Sequence, residues 1–399
     1  MVWSIFHGPP LEKTPRSLDK QTPTYFDEEV IFVSGKYPVE YLSIEGFRSI
    51  QSLKDLRLNS VNVLIGSNGA GKSNFVSFFR MLSEMMGGRL QAWTRKQGSA
   101  DRIVTFGVKT TDRLRASIRF GQKGYDFALE PTVDGEFLFA WERVHLPGDD
   151  DERSKPVSLG QGHMESRLRQ ESQSQKLNTF YESMASWKVF HFHDTSDTAG
   201  VKRLGALHDN EYLRPDASNL AAFLYRLRHE ESSTYEQIRK TVRLAIPFFD
   251  DFVLKPRQLP TEEQQIRLLW RQKDSDYAFW PSQLSDGSIR FICLVTALLQ
   301  PDPPSTIIID EPELGLHPYA MTLLASLVRS ASKKMQIIIS TQSVPLVSEF
   351  SIDDLIVVER HRNTSTFKRY EQKDFEDWLQ TYTVGELWEK NVLGGRPDK

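Results

Sequence analysis

The sequence is almost without cysteine, and this excludes several classes of protein. Its single cysteine, Cys293, lies in the apolar run FICLVTALL at 291–299. The chain therefore cannot form an internal disulfide, which excludes a disulfide-stapled secreted scaffold. A cysteine inside such a run is typical of packing, so we expect Cys293 in the core. We also expect the reducing cytoplasm as the compartment.

Long apolar runs and an excess of charge of one sign are also lacking. No run approaches the roughly 20 apolar residues that a membrane-spanning helix needs. The start, MVWSIFHGPPLEK, lacks the charged beginning and apolar centre of a secretory signal. Lys and Arg number 50 against 53 Asp and Glu, a net charge of −3, which excludes a surface that is basic throughout. We expect a soluble protein with no membrane partner.

The first half of the chain begins with an arm and continues with strands. Five prolines within residues 1–38 predict an extended N-terminal extension rather than a packed element. From Val39 the alternating VEYLSIEGF predicts a half-buried strand, and SVNVLI predicts a buried one. Residues 113–144 read as a three-stranded antiparallel flap with turn signals between the strands. The polar segment 147–178 predicts a loop or an exposed helix.

The second half alternates helices with strands. Residues 217–249 have helical periodicity, with Asp216 placed to cap the helix. The buried runs TIIID, QIIIS and DDLIVVER are separated by helical segments. Such an alternation predicts a mostly parallel sheet with both faces covered, and hence an α/β fold.

A glycine-rich segment at 66–73, GSNGAGKS, matches the pattern G-x-x-x-x-G-K-[ST] between a predicted strand and a predicted helix. Its glycines let backbone N–H groups turn toward phosphate oxygens, and the start of the helix adds partial positive charge. The alternative is a glycine-rich turn with a chance Lys-Ser pair. The residues predicted to contact a nucleotide are Gly66, Ser67, Asn68, Gly69, Ala70, Gly71, Lys72, Ser73 and Asn74.

A second buried strand, at 306–309, ends in Asp310 and Glu311. Parallel-sheet proteins bind ligands at the carboxyl ends of their strands. We predict that Asp310 and the Ser73 hydroxyl hold Mg²⁺, that Glu311 polarises the attacking water, and that Lys72 reaches the β and γ phosphates. The alternative is that the two acids only cap the next helix. ATP and Mg²⁺ are the predicted cofactors.

The segment QLSDGS at 283–288 begins a predicted helix and resembles the signature motif of ABC-type ATPases. The order of phosphate loop, long insertion, LSDG segment and DEPELGLHP resembles the RecF, SMC and OLD-nuclease branch. Within that branch the chain resembles the AAA15/AAA21 type over about residues 39–360. The resemblance implies a P-loop NTPase with an ABC-type ATPase head.

The resemblance implies roles for further residues. Arg48, in Phe-Arg-Ser after the first strand, would approach the nucleotide. Ser285 and Gly287 would contact the γ-phosphate held by a second copy, so two ATP molecules would be sandwiched in a head-to-head homodimer. Gln97, rather than Gln91, is the predicted Q-loop residue and Mg²⁺ ligand.

Two positions depart from the pattern of this family. Asp286 stands where the usual signature has a second glycine, and an acid near phosphate is unfavourable unless it points away or is paired. Gln342 stands where transporter-type relatives place a catalytic histidine; it can donate a hydrogen bond but carries no charge. With Glu311 and Lys72, Gln342 completes the predicted catalytic set, and we expect slow turnover.

The predicted domains follow from these motifs. Residues 39–145 would form an ATPase lobe with the phosphate loop and the flap, and 146–282 an inserted, mainly helical lobe. Residues 283–370 would form the ATPase lobe with the signature and the acidic strand. Residues 371–399 would form a C-terminal tail, in which Trp388 and Leu393 either dock a partner or pack within the chain.

Other candidates are weaker. His191, His193 and Asp194 could suggest a metal site, but no further ligands have suitable spacing, so a polar strand end is favoured. His317 is expected at a dimer seam. Residues 89–123 contain nine basic and two acidic residues, a local charge of +7, which is compatible either with DNA binding or with a solvated face.

Taken together, the resemblance implies ATP-dependent dimerisation, or a higher oligomer, that controls a separate effector. The residues after Ser343 are too few for a TOPRIM nuclease domain, so we expect a separate nuclease in DNA maintenance or anti-phage defence. The alternatives are a static ATP-binding scaffold and an ABC transporter ATP-binding subunit. An AAA+ motor is disfavoured because it would use arginine fingers.

Overall fold

The computed structural model describes residues 36–146, 156–172, 175–261 and 263–395. The predicted extension lies outside these ranges except for its last three residues. The charged stretch at 147–155 also lies outside them.

Strands and helices alternate along the described chain. The first part contains β1 (Tyr41–Phe47), β2 (Ile50–Arg57), β3 (Val61–Ile65), α1 (Lys72–Met86), α2 (Leu90–Lys96), β4 (Leu114–Phe120), β5 (Lys123–Pro131) and β6 (Phe137–His145). The middle part contains β7 (Val157–Gly160), α3 (Leu168–Glu171), α4 (Gln175–Ala185), β8 (Lys188–Phe190), β9 (Gly205–Ala206), α5 (Leu220–Glu230), α6 (Ser232–Ala245), β10 (Phe249–Val253), β11 (Arg257–Gln258), β12 (Gln264–Ile266), β13 (Leu269–Gln272) and β14 (Ala278–Phe279). The last part contains α7 (Asp286–Leu299), β15 (Thr306–Asp310), α8 (Pro318–Ala331), β16 (Gln336–Ser340), α9 (Val344–Val347), β17 (Leu355–His361), β18 (Thr364–Arg369), α10 (Glu376–Leu379) and α11 (Val384–Glu389).

The central sheet has the strand order β18-β17-β3-β16-β15-β8. All neighbours are parallel except β18, which pairs antiparallel with β17. Strand β3, VNVLI, is buried along its whole length because elements cover both faces of the sheet. The predicted mostly parallel sheet is confirmed, and the carboxyl ends of β3, β15 and β16 meet at one edge.

The second sheet is antiparallel and larger than predicted. Its order is β2-β1-β4-β5-β6-β7, so the predicted flap gains β1 and β2 on one side and β7 on the other. Strand β7 lies in the segment predicted as a loop or an exposed helix. That prediction was wrong there because β7 is short and has one buried apolar residue, Leu159, too few for a detectable period.

The segment predicted as an inserted helical lobe has mixed content. It contributes α4, α5 and α6, but it also supplies β8 to the central sheet and several short strands. The proposed boundaries stay a prediction. The predicted cap was wrong: α5 follows Asn219, while Asp216 Oδ1 accepts from the Ser218 N–H at 3.0 Å in the preceding turn.

Two apolar clusters pack on opposite faces of the central sheet. Ile307 and Ile309 of β15 belong to one cluster and Ile308 to the other, as the alternation of strand side chains requires. Cys293 is buried in the first cluster, as predicted, and burial raises the pKa of its thiol to about 12. Trp388 and Leu393 also belong to this cluster, which supports intramolecular packing rather than docking through these side chains.

No helix within the described ranges has both the length and the apolar character needed to cross a bilayer.

Candidate functional site

The phosphate loop, residues 66–73, connects β3 to α1 in a conformation that only glycine permits at two positions. Gly66 has φ +150° and a Cβ there would lie 2.2 Å from the Val358 carbonyl oxygen. Gly71 has φ +120° and a Cβ there would lie 2.0 Å from Ser365 Oγ. Both positive φ and close approach therefore explain the glycines that the motif requires.

The loop presents unbonded donors at the start of α1. Among the described residues, the backbone N–H groups of Gly71, Lys72 and Ser73 have no backbone acceptor; the next N–H, of Asn74, donates to the Gly71 carbonyl at 3.0 Å. Such N–H groups, with the positive end of the helix, can bind an anion. The loop has the geometry of a phosphate cradle.

Lys72 is buried inside this cradle. Its Nζ donates to the carbonyls of Gly66 at 2.7 Å and Ser67 at 3.1 Å. Burial lowers the pKa of Lys72, while Glu311, Asp310 and Glu313 act in the opposite direction. The lysine and the acids of the β15 end therefore share one electrostatic environment.

Asp310 ends β15 and has the character of a cation ligand. Its Oδ1 is buried and has no hydrogen-bond partner among the described residues. A buried carboxylate oxygen without a donor is costly unless a cation or water satisfies it. Asp310 and the exposed hydroxyl of Ser73 offer the oxygen ligands that Mg²⁺ prefers. The residues present thus fit this ion.

Glu311 and Gln342 are in direct contact. Gln342 Nε2 donates to Glu311 Oε1 at 2.6 Å, and the Glu311 N–H donates to the Ser340 carbonyl at 2.7 Å. Glu311 has φ +44°, a strained conformation for a residue with a side chain. The backbone therefore holds Glu311 in place at the carboxyl edge of the sheet, and Gln342 orients its carboxylate.

Glu313 was not predicted as a site residue. It is buried, and its Oε1 accepts from Thr341 Oγ1 at 2.6 Å and from the Gln342 N–H at 3.0 Å. Burial raises the pKa of its carboxyl above the ordinary value. Glu313 ties the ends of β15 and β16 together and positions Gln342. The only feature of the sequence that pointed to Glu313 was its position close after Asp310 and Glu311, as the second glutamate of DEPE.

The Phe-Arg-Ser element lies against the phosphate loop. Arg48 Nη2 donates to Gln97 Oε1 at 2.6 Å, and Asn74 Nδ2 donates to Ser49 Oγ at 2.6 Å. Burial and nearby Arg80 lower the pKa of Arg48. The structure thus brings Arg48 and Gln97 together beside α1. The side chain of Gln97, the predicted Mg²⁺ ligand, accepts a hydrogen bond from Arg48 at Oε1.

Gln91 is occupied elsewhere. It is buried, its Nε2 donates to the Phe137 carbonyl at 3.0 Å, and its Oε1 accepts from the Phe137 N–H at 3.0 Å. A side chain whose polar atoms are satisfied in the antiparallel sheet is not available to a nucleotide. Gln97 is therefore the better candidate of the two.

The signature segment places Ser285 at the surface. Ser285 caps α7: its Oγ accepts from the Ser288 N–H at 3.1 Å. Gly287 is buried, and a Cβ there would lie 2.0 Å from the Gly315 carbonyl oxygen. Close packing within the chain therefore explains Gly287, so any contact with phosphate would involve its backbone. Ser285 is open to a second molecule.

Arg290, one turn into α7, was also missed by the sequence reasoning. Its guanidinium is buried and donates to the carbonyls of Phe192 at 2.9 Å, His193 at 3.4 Å and Leu314. Burial lowers its pKa. Arg290 clamps the signature helix to the segments that follow β8 and β15. The sequence signal that could have identified Arg290 was a charged residue within an otherwise apolar helical run.

The histidines have structural partners. The rings of His191 and His193 lie 3.9 Å apart, and His193 Nε2 donates to the Asp310 carbonyl at 3.0 Å. No cluster of three or more metal-ligating side chains occurs in the part of the chain that the structure describes. His317 caps α8, its Nδ1 accepting from the Tyr319 N–H at 3.2 Å.

The basic stretch at 89–123 is largely neutralised. Acids outside the stretch pair with most of its arginines: Glu84 with Arg89, Glu136 with Arg95, Glu130 with Arg113, Glu45 with Arg115, and Asp126 with Arg119. A paired cation attracts a phosphate backbone less strongly than a free one. The local charge of +7 therefore overstates the positive surface.

Comparison with known proteins identifies the family. The model of the AAA_21 family, an AAA-domain family whose description links it to AbiEii toxins and type IV toxin–antitoxin systems, matches residues 61–349. The energy-coupling factor transporter ATP-binding protein EcfA of Methanocaldococcus jannaschii is 29% identical over 162 residues, 36% of this chain and 57% of that protein. The chain thus spans less than two thirds of this curated relative.

Solved structures show a similar fold. An Smc head bound to the C-winged helix domain of ScpA has a TM-score of 0.58 at 14% identity, over 85% of this chain and 99% of that one. An Smc head with an extended coiled coil, bound to the C-terminal domain of ScpA from Pyrococcus furiosus, has a TM-score of 0.50 at 15% identity, over 86% and 98%. The chain has the fold of the Smc heads, and it belongs to the AAA_21 family.

Proposed function

We propose that this protein binds ATP with Mg²⁺ in the phosphate loop and hydrolyses it slowly, in a dimer that nucleotide holds together. The observation that carries the proposal is the meeting of Lys72, Asp310, Glu311 and Gln342 at one edge of the central sheet. A phosphate cradle alone would suit any anion. The combination with a held carboxylate suits hydrolysis of a triphosphate.

Each side chain has one task in this proposal. Lys72 and the free N–H groups of the loop bind the β and γ phosphates, and Ser73 and Asp310 hold Mg²⁺, which supplies neutralisation of phosphate charge. Glu311 accepts the proton of the attacking water. Gln342 keeps the Glu311 carboxylate in place through their 2.6 Å contact. Because Gln342 is neutral, it stabilises developing charge less than a histidinium would, and turnover is slow.

The proposed dimer is supported by the side chains that are exposed in and around the signature segment. Ser285 is at the surface, at the positive end of α7. Large apolar side chains are exposed before it and on the segment packed against it: Tyr277 59%, Trp280 50%, Leu314 39% and Tyr319 54%. Such exposure is typical of an interface. ATP held by one copy would meet Ser285 of its twin, and loss of the γ-phosphate would loosen the pair.

We further propose that this ATP-dependent dimer acts in the cytoplasm and controls a separate effector, a TOPRIM-like nuclease. Its role would be in DNA maintenance or anti-phage defence. Two observations support a partner: the description of the family refers to a toxin–antitoxin system, and the similar Smc heads are bound to ScpA. Assembly beyond two copies is compatible with this arrangement. Direct DNA binding would depend on cations of the basic stretch that have no acidic partner among the described residues, such as Lys96 and Lys109.

The similarity to EcfA favours a second candidate, a transporter ATP-binding subunit. The long insertion between phosphate loop and signature, and Gln342 in place of a histidine, make it the weaker one. A static ATP-binding scaffold is a further alternative. Such a scaffold would bind ATP without the slow hydrolysis that the proposal requires, so the rate of phosphate release distinguishes the two.

Phosphate release and ATP binding by wild type, Glu311→Gln and Lys72→Ala separate these functions. We expect Glu311→Gln to bind ATP with an unchanged Kd and to release phosphate about 100-fold or more slowly than wild type, because it lacks the general base. Lys72→Ala should lose binding. Equal phosphate release by wild type and Glu311→Gln would instead identify a static scaffold.

A further inference from the structure

The end of the described chain contacts the phosphate loop. Residues 391–395, which we call the C-terminal strap, follow α11. The Ser67 N–H, one residue into the loop, donates to the Gly395 carbonyl at 2.8 Å. A backbone bond thus joins the nucleotide site to a segment more than 300 residues away in sequence.

A second bond fixes the strap to the central sheet. The Gly395 N–H donates to Glu359 Oε1 at 3.0 Å. Glu359 lies on β17, directly after Val358, whose carbonyl abuts Gly66. The other carboxylate oxygen of Glu359 lies 3.4 Å from Lys368 Nζ. Glu359 therefore sets the position of Gly395, and Gly395 in turn sets that of Ser67.

The strap reaches the loop because two glycines permit it. Gly394 and Gly395 have φ +81° and +83°, and a Cβ on Gly394 would lie 2.6 Å from Glu359 Oε1. A Cβ on Gly395 would lie 3.3 Å from the Cα of Gly66. Leu393, fully buried, anchors the segment just before them. The strap is thus a packed element in direct contact with the loop.

Two further residues of the last third hold the same loop. Arg360 Nη1 donates to the Gly69 carbonyl at 3.1 Å, and Ser365 Oγ donates to the Ala70 carbonyl at 2.5 Å. Together with the strap, they fix the loop backbone at three points. All of them lie beyond residue 349, where the match to the family model ends.

We propose that the C-terminal strap is a positioning element of the nucleotide site, acting through Glu359, Gly395 and Ser67. This inference rests on the proposed ATP site. A loop with three glycines loses much conformational entropy when it closes on phosphate. A loop that the strap already holds in place loses less entropy on binding, so it binds more tightly. By linkage, a partner that displaced the strap would lower the affinity for ATP.

The test compares full-length variants at the two bonds. Glu359→Ala removes the acceptor of the Gly395 N–H, and Glu359→Gln keeps an acceptor oxygen. Gly395→Pro removes the donor and the positive φ. Lys368→Ala is the control, because it removes the ion pair of Glu359 and leaves the hydrogen bond from the Gly395 N–H to Glu359 in place. The readouts are the Kd for ATP with Mg²⁺, KM and kcat of hydrolysis, and Tm.

We expect Glu359→Ala and Gly395→Pro to raise the Kd and KM about threefold to tenfold, the range expected for loss of one hydrogen bond. Glu359→Gln and Lys368→Ala should change them by less than about twofold, and kcat should be nearly unchanged in all four, because the strap positions the loop without touching the reacting atoms.

Unchanged Kd values in folded Glu359→Ala and Gly395→Pro would overturn the proposal. A lower Tm with an unchanged Kd would also overturn it, since the strap would then serve stability alone. If Gly395→Pro fails to fold, the difference between Glu359→Ala and Glu359→Gln decides. Wild type that does not bind ATP would refute the proposed function and this inference together, whereas failure of the strap alone leaves wild-type binding intact.

Discussion

Lys202 brings a positive charge to the start of the signature helix, where the sequence has an unexpected acid. Its Nζ lies 3.7 Å from Asp286 Oδ1 and 3.8 Å from Asp197 Oδ1, and the ammonium group is largely buried. Asp286 was expected to point away from phosphate or to be paired, and the structure provides the pair. The sequence alone could not identify Lys202, because it lies 84 residues away and in no motif.

Replacement of Lys202 should weaken the ATP-dependent dimer. In Lys202→Ala the Asp286 carboxylate would face the phosphate of the second copy without compensation, and like charges at an interface are unfavourable. We expect the dimer Kd in ATP to rise about threefold to tenfold, a modest effect because Asp286 is exposed. Analytical ultracentrifugation measures it.

Adding Asp286→Asn to Lys202→Ala should restore association, and Lys202→Arg should preserve it. A Kd that rises equally in the single and the double variant would show that Lys202 acts on folding rather than on the charge of Asp286.

Cys293 provides a second prediction for a single residue. Burial raises the pKa of its thiol to about 12, so the reactive thiolate is scarce at neutral pH. We expect no reaction with Ellman's reagent in the native protein and one equivalent after denaturation in urea. Rapid labelling of the native protein would contradict the position of Cys293 in the core.

At the scale of elements, close packing of α7 on the segment after β15 joins the signature to the acidic strand. Gly287 admits the Gly315 carbonyl, and Arg290 bonds to the Leu314 carbonyl. The helix and both motifs could be predicted because each depends on a few consecutive residues. Their mutual packing could not, because it depends on a glycine and an arginine that have no local period.

Gly287→Ala tests this packing. Its Cβ would lie 2.0 Å from the Gly315 carbonyl oxygen, so backbone has to move, and overpacking of this kind costs about 1–3 kcal/mol. Urea unfolding measures the change in the free energy of unfolding. Ser288→Ala, at the next position, adds no atom and should cost less than Gly287→Ala. Equal costs would show that the close approach does not determine stability.

Asp126 connects three strands of the antiparallel sheet. It lies on β5 and bonds to Arg119 of β4 at 2.5 Å and to His145 of β6 at 2.6 Å. Burial alone would raise the pKa of Asp126, but Arg119 and His145 outweigh it and hold the pKa below its ordinary value. Its ionised form therefore stabilises the fold above the unfolded pKa, and this contribution is lost as the pH falls through the folded pKa.

Asp126→Asn should remove this pH dependence. We expect the variant to be less stable than wild type by about 1–2 kcal/mol near neutral pH, with the difference shrinking as the pH falls below about 4. Urea unfolding at several pH values measures it. A difference that stays constant with pH would mean that the charge of Asp126 has no part in it.

At the scale of the whole molecule, features formed by residues close together in sequence could be predicted. Contacts between residues far apart in sequence could not. The central sheet and the phosphate loop are encoded in short runs with clear periods, such as VNVLI before the glycines. Strand β8 has only three residues, and it belongs to the sheet through its parallel pairing with residues 307–309 of β15, which are more than 100 residues away in sequence. The bond from Ser67 to Gly395 likewise has no local signal, because glycine pairs near a chain's end are ordinary in loops.

The arrangement of the whole molecule also determines how ATP would act on two copies. Lys72 is buried and faces the acids of β15, whereas Ser285 is exposed at the start of α7. The proposed function requires that one triphosphate contact both, each from a different copy. The assembly state with and without ATP therefore tests the central claim most directly.

That measurement is the mass of Glu311→Gln by light scattering, with and without ATP and Mg²⁺, beside the double variant that adds Ser285→Arg. We expect Glu311→Gln to double its mass when ATP is added, because it binds but does not hydrolyse the nucleotide, and we expect the added arginine to abolish the change. A mass that is the same with and without ATP, or a dimer that tolerates Ser285→Arg, would contradict the shared site.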